Sequence, residues 1–288
     1  MNNSNYIRKP AWMKVPLPKG ETYNQLKRIV NNHHLATICQ SGNCPNMAEC
    51  WSHGTATFMI LGTLCTRNCT FCDVMTGKPL PPDSNEPLRI AEAVRLMQLK
   101  HCVVTSVTRD DLPDKGAKHW ADTIMEVKRI NQGITMEVLI PDMRDDQEAL
   151  KTIIDAKPEI VSHNMETVKR LYQEVRPQAN YERSLRQIKQ TAELGVISKS
   201  GFMVGLGESD AEVFALIDDL ANNMVEIITI GQYLPPSGEH FPLMEYVSPE
   251  KFAYFKEYGL KNGIRQIISA PLVRSSYHSE EQVPDVFI

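Results

Sequence analysis

Six of the seven cysteines of this 288-residue chain fall within one short stretch, residues 39–72. They form two triplets: Cys39, Cys44 and Cys50 come first, and Cys65, Cys69 and Cys72 follow. Clustered thiols constrain a fold strongly, because the segments that carry them must converge on a common soft ligand or pair as disulfides. We therefore expect the rest of the chain to be the scaffold that holds these two triplets.

Three kinds of bonding could explain the clustered thiols. Disulfide frameworks are typical of short secreted chains, whereas this chain is long and its opening, MNNSNYIRKPAW, has no apolar leader. Structural zinc favours four ligands in closely spaced pairs, and each triplet offers three thiols at wider spacing. His53 could be a fourth ligand for the first triplet, so a zinc site remains an alternative when only the spacing is considered. Three thiolates suit a [4Fe-4S] cube best, because the fourth iron is then free for chemistry.

The second triplet has a diagnostic spacing. It reads Cys65-x3-Cys69-x2-Cys72, with Phe71 just before the last cysteine, and it follows a strand-like run, TATFMILGT. This pattern resembles the CxxxCxφC loop of the radical S-adenosylmethionine (SAM) superfamily. The resemblance implies a [4Fe-4S] cluster on these cysteines. It also implies that SAM chelates the open iron and is cleaved to a 5'-deoxyadenosyl radical.

Two further motifs narrow the resemblance. The first triplet, Cys39-x4-Cys44-x5-Cys50, ends in CPNMAECW; this triplet and the segment RSSY at 274–277 are similar to the auxiliary-cluster motifs of the lipoyl synthase family. The similarity runs from RKPAWMKVPLP to RSSYH and so covers nearly the whole chain. It implies a second [4Fe-4S] cluster, held by Cys39, Cys44, Cys50 and the hydroxyl of Ser276.

The family resemblance implies a radical sulfur insertion. Two sulfur atoms from the auxiliary cluster would enter C6 and C8 of a protein-bound octanoyl-lysine to give lipoyl-lysine, with two SAM consumed per lipoyl group. Acid–base side chains cannot activate such C–H bonds, so a cofactor radical is required. Two alternatives stay open: another radical SAM sulfur-insertion enzyme, such as a methylthiotransferase or a biotin-synthase-like enzyme, and a non-catalytic iron–sulfur electron carrier. The presence of Ser276 argues against another radical SAM sulfur-insertion enzyme, and a SAM-binding site would argue against an electron carrier.

The resemblance also implies partners. These are octanoylated carriers (the glycine cleavage H protein or lipoyl domains of 2-oxoacid dehydrogenase E2 subunits), an electron donor such as ferredoxin or flavodoxin, and an iron–sulfur carrier for cluster repair. The formal charge of -4 argues against a nucleic-acid partner. No apolar run approaches the about 18 to 20 residues that span a bilayer. We expect a cytoplasmic protein.

Basic residues concentrate near the N-terminus. They form either a solvated face or a docking surface for an acidic carrier, and they are Arg8, Lys9, Lys14, Lys19, Lys27 and Arg28. Three departures from the family pattern also bear on docking and substrate contacts. Residues 40–43 are not acidic, Thr108 stands where aspartate is common, and Gly238 and Glu239 replace basic residues.

From Thr55 onward, short apolar runs alternate with longer amphipathic ones. Six runs read as strands, from TATFMIL to VEIITIG, with IRQIIS a weaker seventh, and helical patterns such as IAEAVRLMQLK lie between them. This alternation predicts βαβ units and a parallel sheet. The predicted fold class is α/β, a partial (β/α)6 TIM-like barrel. The predicted divisions are an N-terminal extension at 1–54, the barrel at 55–270 and a C-terminal tail at 271–288, and both extensions hold the auxiliary cluster.

In parallel barrels the chemistry lies at the carboxyl ends of the strands. Besides Phe71, the resemblance implies SAM contacts from Thr105 and Ser106, from Asn164 and Glu166, and from Gly205, Gly207 and Glu208. Each segment also has a structural interpretation. An aspartate cap before Pro113, a helix start at 166–167 and a glycine-rich turn would account for the same residues. Cys102, apart from both triplets, is predicted to be a buried thiol.

Overall fold

The computed structural model describes residues 8–15 and 20–283. Residues 1–7, 16–19 and 284–288 lie outside the described part. They include Lys19 of the basic group and portions of the predicted N-terminal extension and C-terminal tail. Among the described residues, no helix has the length and apolar character needed to cross a membrane.

Ten α-helices and eight strands are present in the described ranges. The helices are α1 Glu21–Asn32, α2 Ile38–Ser41, α3 Met47–Ser52, α4 Glu86–Leu96, α5 Ala117–Ile130, α6 Gln147–Asp155, α7 Tyr172–Val175, α8 Tyr181–Glu193, α9 Asp210–Asn222 and α10 Pro249–Lys261. The strands are β1 Ala36–Thr37, β2 Thr57–Ile60, β3 His101–Ser106, β4 Thr135–Leu139, β5 Ile160–Ser162, β6 Ile197–Val204, β7 Ile227–Gln232 and β8 Gln266–Ser269.

The strands form one sheet in sequence order. Strands β2 to β8 are parallel neighbours, and β1 pairs antiparallel with β2 through Ala36 opposite Met59. Within the described residues the sheet stays open, with β1 and β8 as its two edges. The predicted partial barrel is therefore confirmed, and the weaker seventh strand is present as β8.

The strands are buried on both faces, as is typical of a parallel sheet. All four residues of β2 are buried, as expected of a sheet covered by helices outside and by side chains inside. Two apolar cores lie between the sheet and its helices. One joins β2–β4 to α4–α6, and the other joins β6–β8 to α8–α10.

Both extensions fold onto the barrel. Asn46 Nδ2 in the N-terminal extension donates a hydrogen bond to Leu272 O in the C-terminal tail at 2.6 Å. Val283, the last described residue, packs with Ile160 and Ile227, which are the first residues of β5 and β7. The tail therefore reaches from the triplet region to the amino end of the barrel.

Local predictions failed for very short elements and for the start of α4. The sequence patterns predicted neither β1 nor α2 nor α3, because two to six residues carry no measurable periodicity. Helix α4 begins at Glu86, before the predicted start at Ile90, because Pro87 is well tolerated in a first helical turn. Cys102 is a fully buried thiol, as predicted.

A buried ion pair crosses the barrel interior. Lys199 on β6 and Glu137 on β4 are both 0% exposed, and Lys199 Nζ donates to Glu137 Oε1 at 2.8 Å. Burial lowers the pKa of Lys199. Burial alone would raise the pKa of Glu137, but the charges of Lys199 and His101 lower it below its ordinary value. The two groups form a buried hydrogen-bonded pair, and each depends on the other for compensation.

Removing one partner of this pair is expected to be costly. Lys199→Met should lower the free energy of unfolding by about 3–5 kcal/mol, because Glu137 would keep a buried charge without its main partner. The double variant Lys199→Met/Glu137→Met should return to within about 1 kcal/mol of the wild type. Urea denaturation measures both, with Lys151→Met, in an exposed pair, as a control that should change little. A double variant as unstable as the single one would contradict this account.

Candidate active site

The second triplet lies in the loop 65–72 that follows β2, here called the cluster loop. Cys65 N donates to Met75 O at 2.8 Å, and Phe241 N, in the segment after β7, donates to Thr70 O at 2.8 Å. The backbone N–H of Thr108, in the segment after β3, donates to Cys65 Sγ at 3.3 Å. Neighbouring backbone therefore fixes the cluster loop at both ends. Since Thr108 contacts Cys65 through its main chain, the departure from aspartate leaves this contact intact.

Arg67, inside the cluster loop, is held by two carboxylates. Its guanidinium donates to Asp110 Oδ2 at 2.8 Å and to Asp142 Oδ1 at 2.6 Å, and Asp142 also accepts from Arg183 Nε at 2.7 Å. Burial raises the pKa of Asp142, but the charge of Arg67 and its hydrogen bond outweigh burial, so the pKa lies well below its usual range. Asp110 is thus a partner of Arg67, and it is Asp114 that accepts hydrogen bonds from Gly116 N and Lys118 N at the start of α5.

Asp142 is expected to stabilise the cluster loop measurably. Asp142→Asn should lower the free energy of unfolding by about 3 kcal/mol, because Arg67 and Arg183 lose a shared buried charge. Folding lowers the pKa of Asp142. Its contribution to the free energy of unfolding is therefore complete above about pH 4, and it is lost as the pH falls toward the lower pKa of the folded state. Urea denaturation at pH 7 tests this, with Asp155→Asn as an exposed control. Equal stability of the two variants would contradict the prediction.

The first triplet lies on two short helices and the turn between them. Cys39 is in α2 and Cys50 is in α3, and Cys44 N donates to Cys39 O at 3.0 Å. Thr37 caps α2, because its Oγ1 accepts a hydrogen bond from Gln40 N at 3.3 Å. The three sulfurs therefore depend on local turns rather than on a long element.

The C-terminal tail completes the site of the first triplet. Ser276 Oγ accepts a hydrogen bond from Thr57 Oγ1 at 2.7 Å, and Tyr277 OH donates to Glu49 Oε1 at 2.9 Å. A small cavity at this place is lined by Cys39, Cys44, Cys50 and Ser276. The structure thus brings together the four residues that the sequence motifs assigned to one ligand set.

The spacing of the sulfur atoms bears on the choice between zinc and an iron–sulfur cluster. In a tetrahedral zinc site, thiolates bound at about 2.3 Å lie about 3.8 Å from one another. Neither triplet has its three sulfur atoms within 4.8 Å of one another. A wider spacing suits a cubane, whose cysteines bind different irons. His53, the fourth zinc ligand considered above, instead places Nδ1 2.9 Å from Glu49 O.

Burial favours the protonated form of four of the six triplet thiols. Burial raises the pKa of Cys50 and of Cys72 to about 12. It also raises the pKa of Cys39 and of Cys69. Metals bind the thiolate, so loading these sites releases protons against the cost of burial. Such thiols are suited to a tightly bound, strongly electrophilic cluster.

A single cavity of ≈ 1250 Å³ at the carboxyl end of the barrel is lined by cysteines from both triplets. Its lining includes Cys65, Cys69 and Cys72 and also Cys39, Cys44 and Ser276. Cys50 lines only the smaller cavity. The two sets of thiols therefore face one continuous space.

Five of the predicted SAM-contacting residues line this cavity: Phe71, Thr105, Ser106, Asn164 and Glu166. The Oγ of Ser106 and the Oδ1 of Asn164 are buried without a hydrogen-bond partner, as expected of groups that await a polar ligand. No helix starts at 166–167, and Glu166 has φ of 67° in the left-handed region.

The remaining three predicted SAM contacts do not line the cavity. Gly205, Gly207 and Glu208 form a turn that closes on itself, because Glu208 Oε2 accepts from Leu206 N at 2.9 Å and Oε1 accepts from Gly205 N. A side chain at Gly205 would collide with Gln232. The shape of the cavity gives no support to SAM contacts from this turn, which stay a prediction.

Arg176 was not predicted from the sequence. It is buried and lines the cavity, its Nη1 donates to Asn164 O at 2.8 Å, and its Nε has no hydrogen-bond partner. Its charge also acts on Cys69, where it opposes the rise in pKa caused by burial. The surrounding RPQAN reads as an ordinary turn, so no sequence signal marks this residue.

The barrel and its cluster loop place the chain in a known superfamily. The model of the radical SAM superfamily matches residues 59–220. Methylornithine synthase (PylB) has the same fold, with a TM-score of 0.57 at 13% identity over 89% of this chain and 85% of that one. Streptococcus suis SuiB bound to S-adenosylmethionine gives 0.57 at 10% identity over 78% and 53%. The protein is a radical SAM enzyme, a class that uses SAM and a [4Fe-4S] cluster.

Relatives of similar length define the family. The lipoyl synthase of Bacteroides fragilis strain YCH46 is 56% identical over 98% of both chains. Those of Phocaeicola vulgatus and Caldanaerobacter subterraneus are 53% and 51% identical, over 97% and 95% of this chain and 98% and 96% of theirs. The chain belongs to the lipoyl synthase family and is a radical SAM sulfurtransferase. Family membership implies a lipoyl-carrier protein as substrate, and the electron-carrier alternative is wrong.

Proposed function

We propose that this enzyme inserts two sulfur atoms, at C6 and C8, into the octanoyl chain on a carrier-protein lysine and so forms lipoyl-lysine. One observation carries the proposal: a single cavity is lined by all of the second cysteine triplet, by two cysteines of the first and by Ser276. An acyl chain in that cavity could meet a radical source and a sulfur source without leaving it. A methylthiotransferase or a biotin-synthase-like enzyme would not need Ser276 at this place.

Two ligand sets follow from this proposal. Cys65, Cys69 and Cys72 would hold the [4Fe-4S] cluster that binds SAM, and Cys39, Cys44, Cys50 and Ser276 would hold an auxiliary [4Fe-4S] cluster. When bound, these groups, with two SAM per lipoyl group, supply the hydrogen-abstracting radical and the sulfur. The protein holds the cluster loop in place through its backbone contacts and through Arg67. The cavity residues that would contact SAM are Phe71, Thr105, Ser106, Asn164 and Glu166.

The segment after β7 supplies an apolar wall for the acyl chain. Leu234, Pro235, Phe241, Leu243 and Met244 line the cavity along this segment. An octanoyl chain has no polar group beyond its amide, so shape and burial must recognise it. A water-poor site also protects reactive radicals from side reactions. This lining fits the proposed substrate.

Docking of the carrier is proposed at the N-terminal side of the cavity. Lys9 lines the cavity and is exposed, whereas Arg28 is paired with Glu21 at 2.6 Å. An acidic octanoylated H protein or E2 lipoyl domain would be attracted there, and complementary charge mainly raises the rate of encounter. We also propose ferredoxin or flavodoxin as electron donor and an iron–sulfur carrier for repair of the auxiliary cluster. The divisions 1–54, 55–270 and 271–288 are part of the same proposal.

Anaerobic turnover tests the proposed function. Reconstituted enzyme, SAM, a reductant and an octanoyl-lysine peptide should give a peptide with two added sulfurs and two 5'-deoxyadenosines per product, measured by mass spectrometry. Formation of 5'-deoxyadenosine without sulfur transfer would keep the radical enzyme but refute this substrate. A methylthiolated product would support the alternative sulfur-insertion chemistry.

A further inference from the structure

Thr57 contacts one proposed cluster ligand from each extension. Its Oγ1 donates to Ser276 Oγ at 2.7 Å, in the C-terminal tail. Burial raises the pKa of the Cys39 thiol, and a hydrogen bond from the backbone N–H of Thr57 opposes that rise. Thr57 is 5% exposed and lines both the small and the large cavity. It therefore lies between the two parts of the auxiliary site.

The barrel holds Thr57 more firmly than the extensions hold their ligands. Thr57 is the first residue of β2, and its register is set by pairing with Val103 on β3. Ser276 lies outside any helix or strand, and Cys39 lies in a four-residue helix. A donor on the sheet can thus set the position of an acceptor on a less regular segment.

The direction of the hydrogen bond follows from the chemistry of the ligand. A serine oxygen bound to iron carries no proton, so it can only accept a hydrogen bond. In this pair only the Thr57 hydroxyl can then donate. Removing that donor would leave a buried, negatively charged oxygen without its partner, and this costs more than losing a neutral hydrogen bond.

We propose that Thr57 is a positioning residue whose hydroxyl holds the Ser276 oxygen on the auxiliary cluster. The inference rests on the proposed function, because it takes Ser276 to be an iron ligand. Partners of metal ligands typically contribute about 10–100-fold to metal affinity. The Thr57 hydroxyl should therefore control how tightly the serine-bound iron is kept, while the three cysteine-bound irons are affected little.

The test uses the variant Cys65→Ala/Cys69→Ala/Cys72→Ala, in which the auxiliary site is the proposed remaining cluster site. Adding Thr57→Val should change the Mössbauer signal of the oxygen-bound iron and make iron loss to a chelator about 10-fold faster. Adding Thr57→Ser, which keeps the hydroxyl, should restore the parent spectrum and rate. A Thr57→Val protein that matches its parent in both measurements would overturn the inference, as would a Thr57→Ser protein as impaired as Thr57→Val.

A buried threonine elsewhere controls for the loss of a hydroxyl. Thr191 is 1% exposed and its Oγ1 donates to Gln187 O at 2.9 Å in α8. Thr191→Val in the same background should leave the spectrum and the rate of iron loss unchanged, and equal effects at both threonines would count against a specific role for Thr57. If the parent triple variant holds no [4Fe-4S] cluster, the proposed auxiliary site itself fails, and the inference about Thr57 fails with it.

Discussion

Replacing Cys69 with alanine is expected to lower 5'-deoxyadenosine formation by more than about 100-fold, since loss of a direct ligand should exceed the effect of losing a ligand's partner. Cys69 lies in the cluster loop and lines the large cavity. No described thiol outside the two triplets lines this cavity. The variant should also lose the iron of the cluster loop while keeping that of the first triplet. Anaerobic assay with SAM and dithionite, with the nucleoside measured by chromatography, gives the first quantity.

Cys102 supplies a matched control for this substitution. It is 0% exposed in β3, and it packs in the apolar core with Val104 and Met136. Cys102→Ala therefore removes a buried thiol without touching either ligand set, and nucleoside formation should stay near the wild-type level. The assignment of the cluster loop fails if Cys69→Ala is as active as Cys102→Ala.

Replacing Cys50 with alanine is expected to separate the two half-reactions. Lipoyl-peptide formation should fall by more than about 100-fold, because Cys50 is a proposed ligand of the auxiliary cluster. Formation of 5'-deoxyadenosine should persist, because Cys50 lines only the small cavity and not the large one that holds Cys65, Cys69 and Cys72. Both products are measured in one reaction, by mass spectrometry of the peptide and chromatography of the nucleoside.

The ratio of lipoyl peptide to 5'-deoxyadenosine distinguishes a structural role of Cys50 from a role in holding the sulfur source. A structural role for Cys50 would lower both products together, as unfolding removes both sites. A role in holding the sulfur source lowers only the peptide product. Loss of both in a variant that keeps its far-ultraviolet circular dichroism and the iron of the cluster loop would contradict the proposed division of labour.

Much of the barrel could be predicted because its signals are local. Short buried runs such as TATFMIL and VEIITIG alternate with amphipathic stretches, and a parallel sheet follows from that order. The end of each strand then places Thr105, Ser106, Asn164 and Glu166 on one face, where the structure finds them around one cavity. In these cases the spacing of residues along the chain was sufficient to predict the strands and the side chains at their ends.

Interactions between distant residues could not be predicted in the same way. One such network joins Arg67, Asp142 and Arg183, which meet only because separate loops and helices converge. Their spacing in the sequence does not indicate this contact. The glycine-rich turn is a different case, because its SAM contacts stay a prediction. Its residues fit a nucleotide-binding pattern, yet Glu208 satisfies the turn's own backbone and the turn lies outside the cavity lining. A sequence motif shows which residues are present, whereas the hydrogen bonds of the folded chain show what those residues contact.

The origin of the inserted sulfur tests the central claim most directly. Enzyme reconstituted with sulfide enriched in heavy sulfur would be given octanoyl-lysine peptide and SAM for a single turnover in medium free of heavy sulfide. If the Cys39, Cys44, Cys50 and Ser276 site holds the sulfur source, mass spectrometry should find both inserted sulfur atoms heavy. A lipoyl product that carries only light sulfur would contradict the account, because the sulfur would then come from outside the protein.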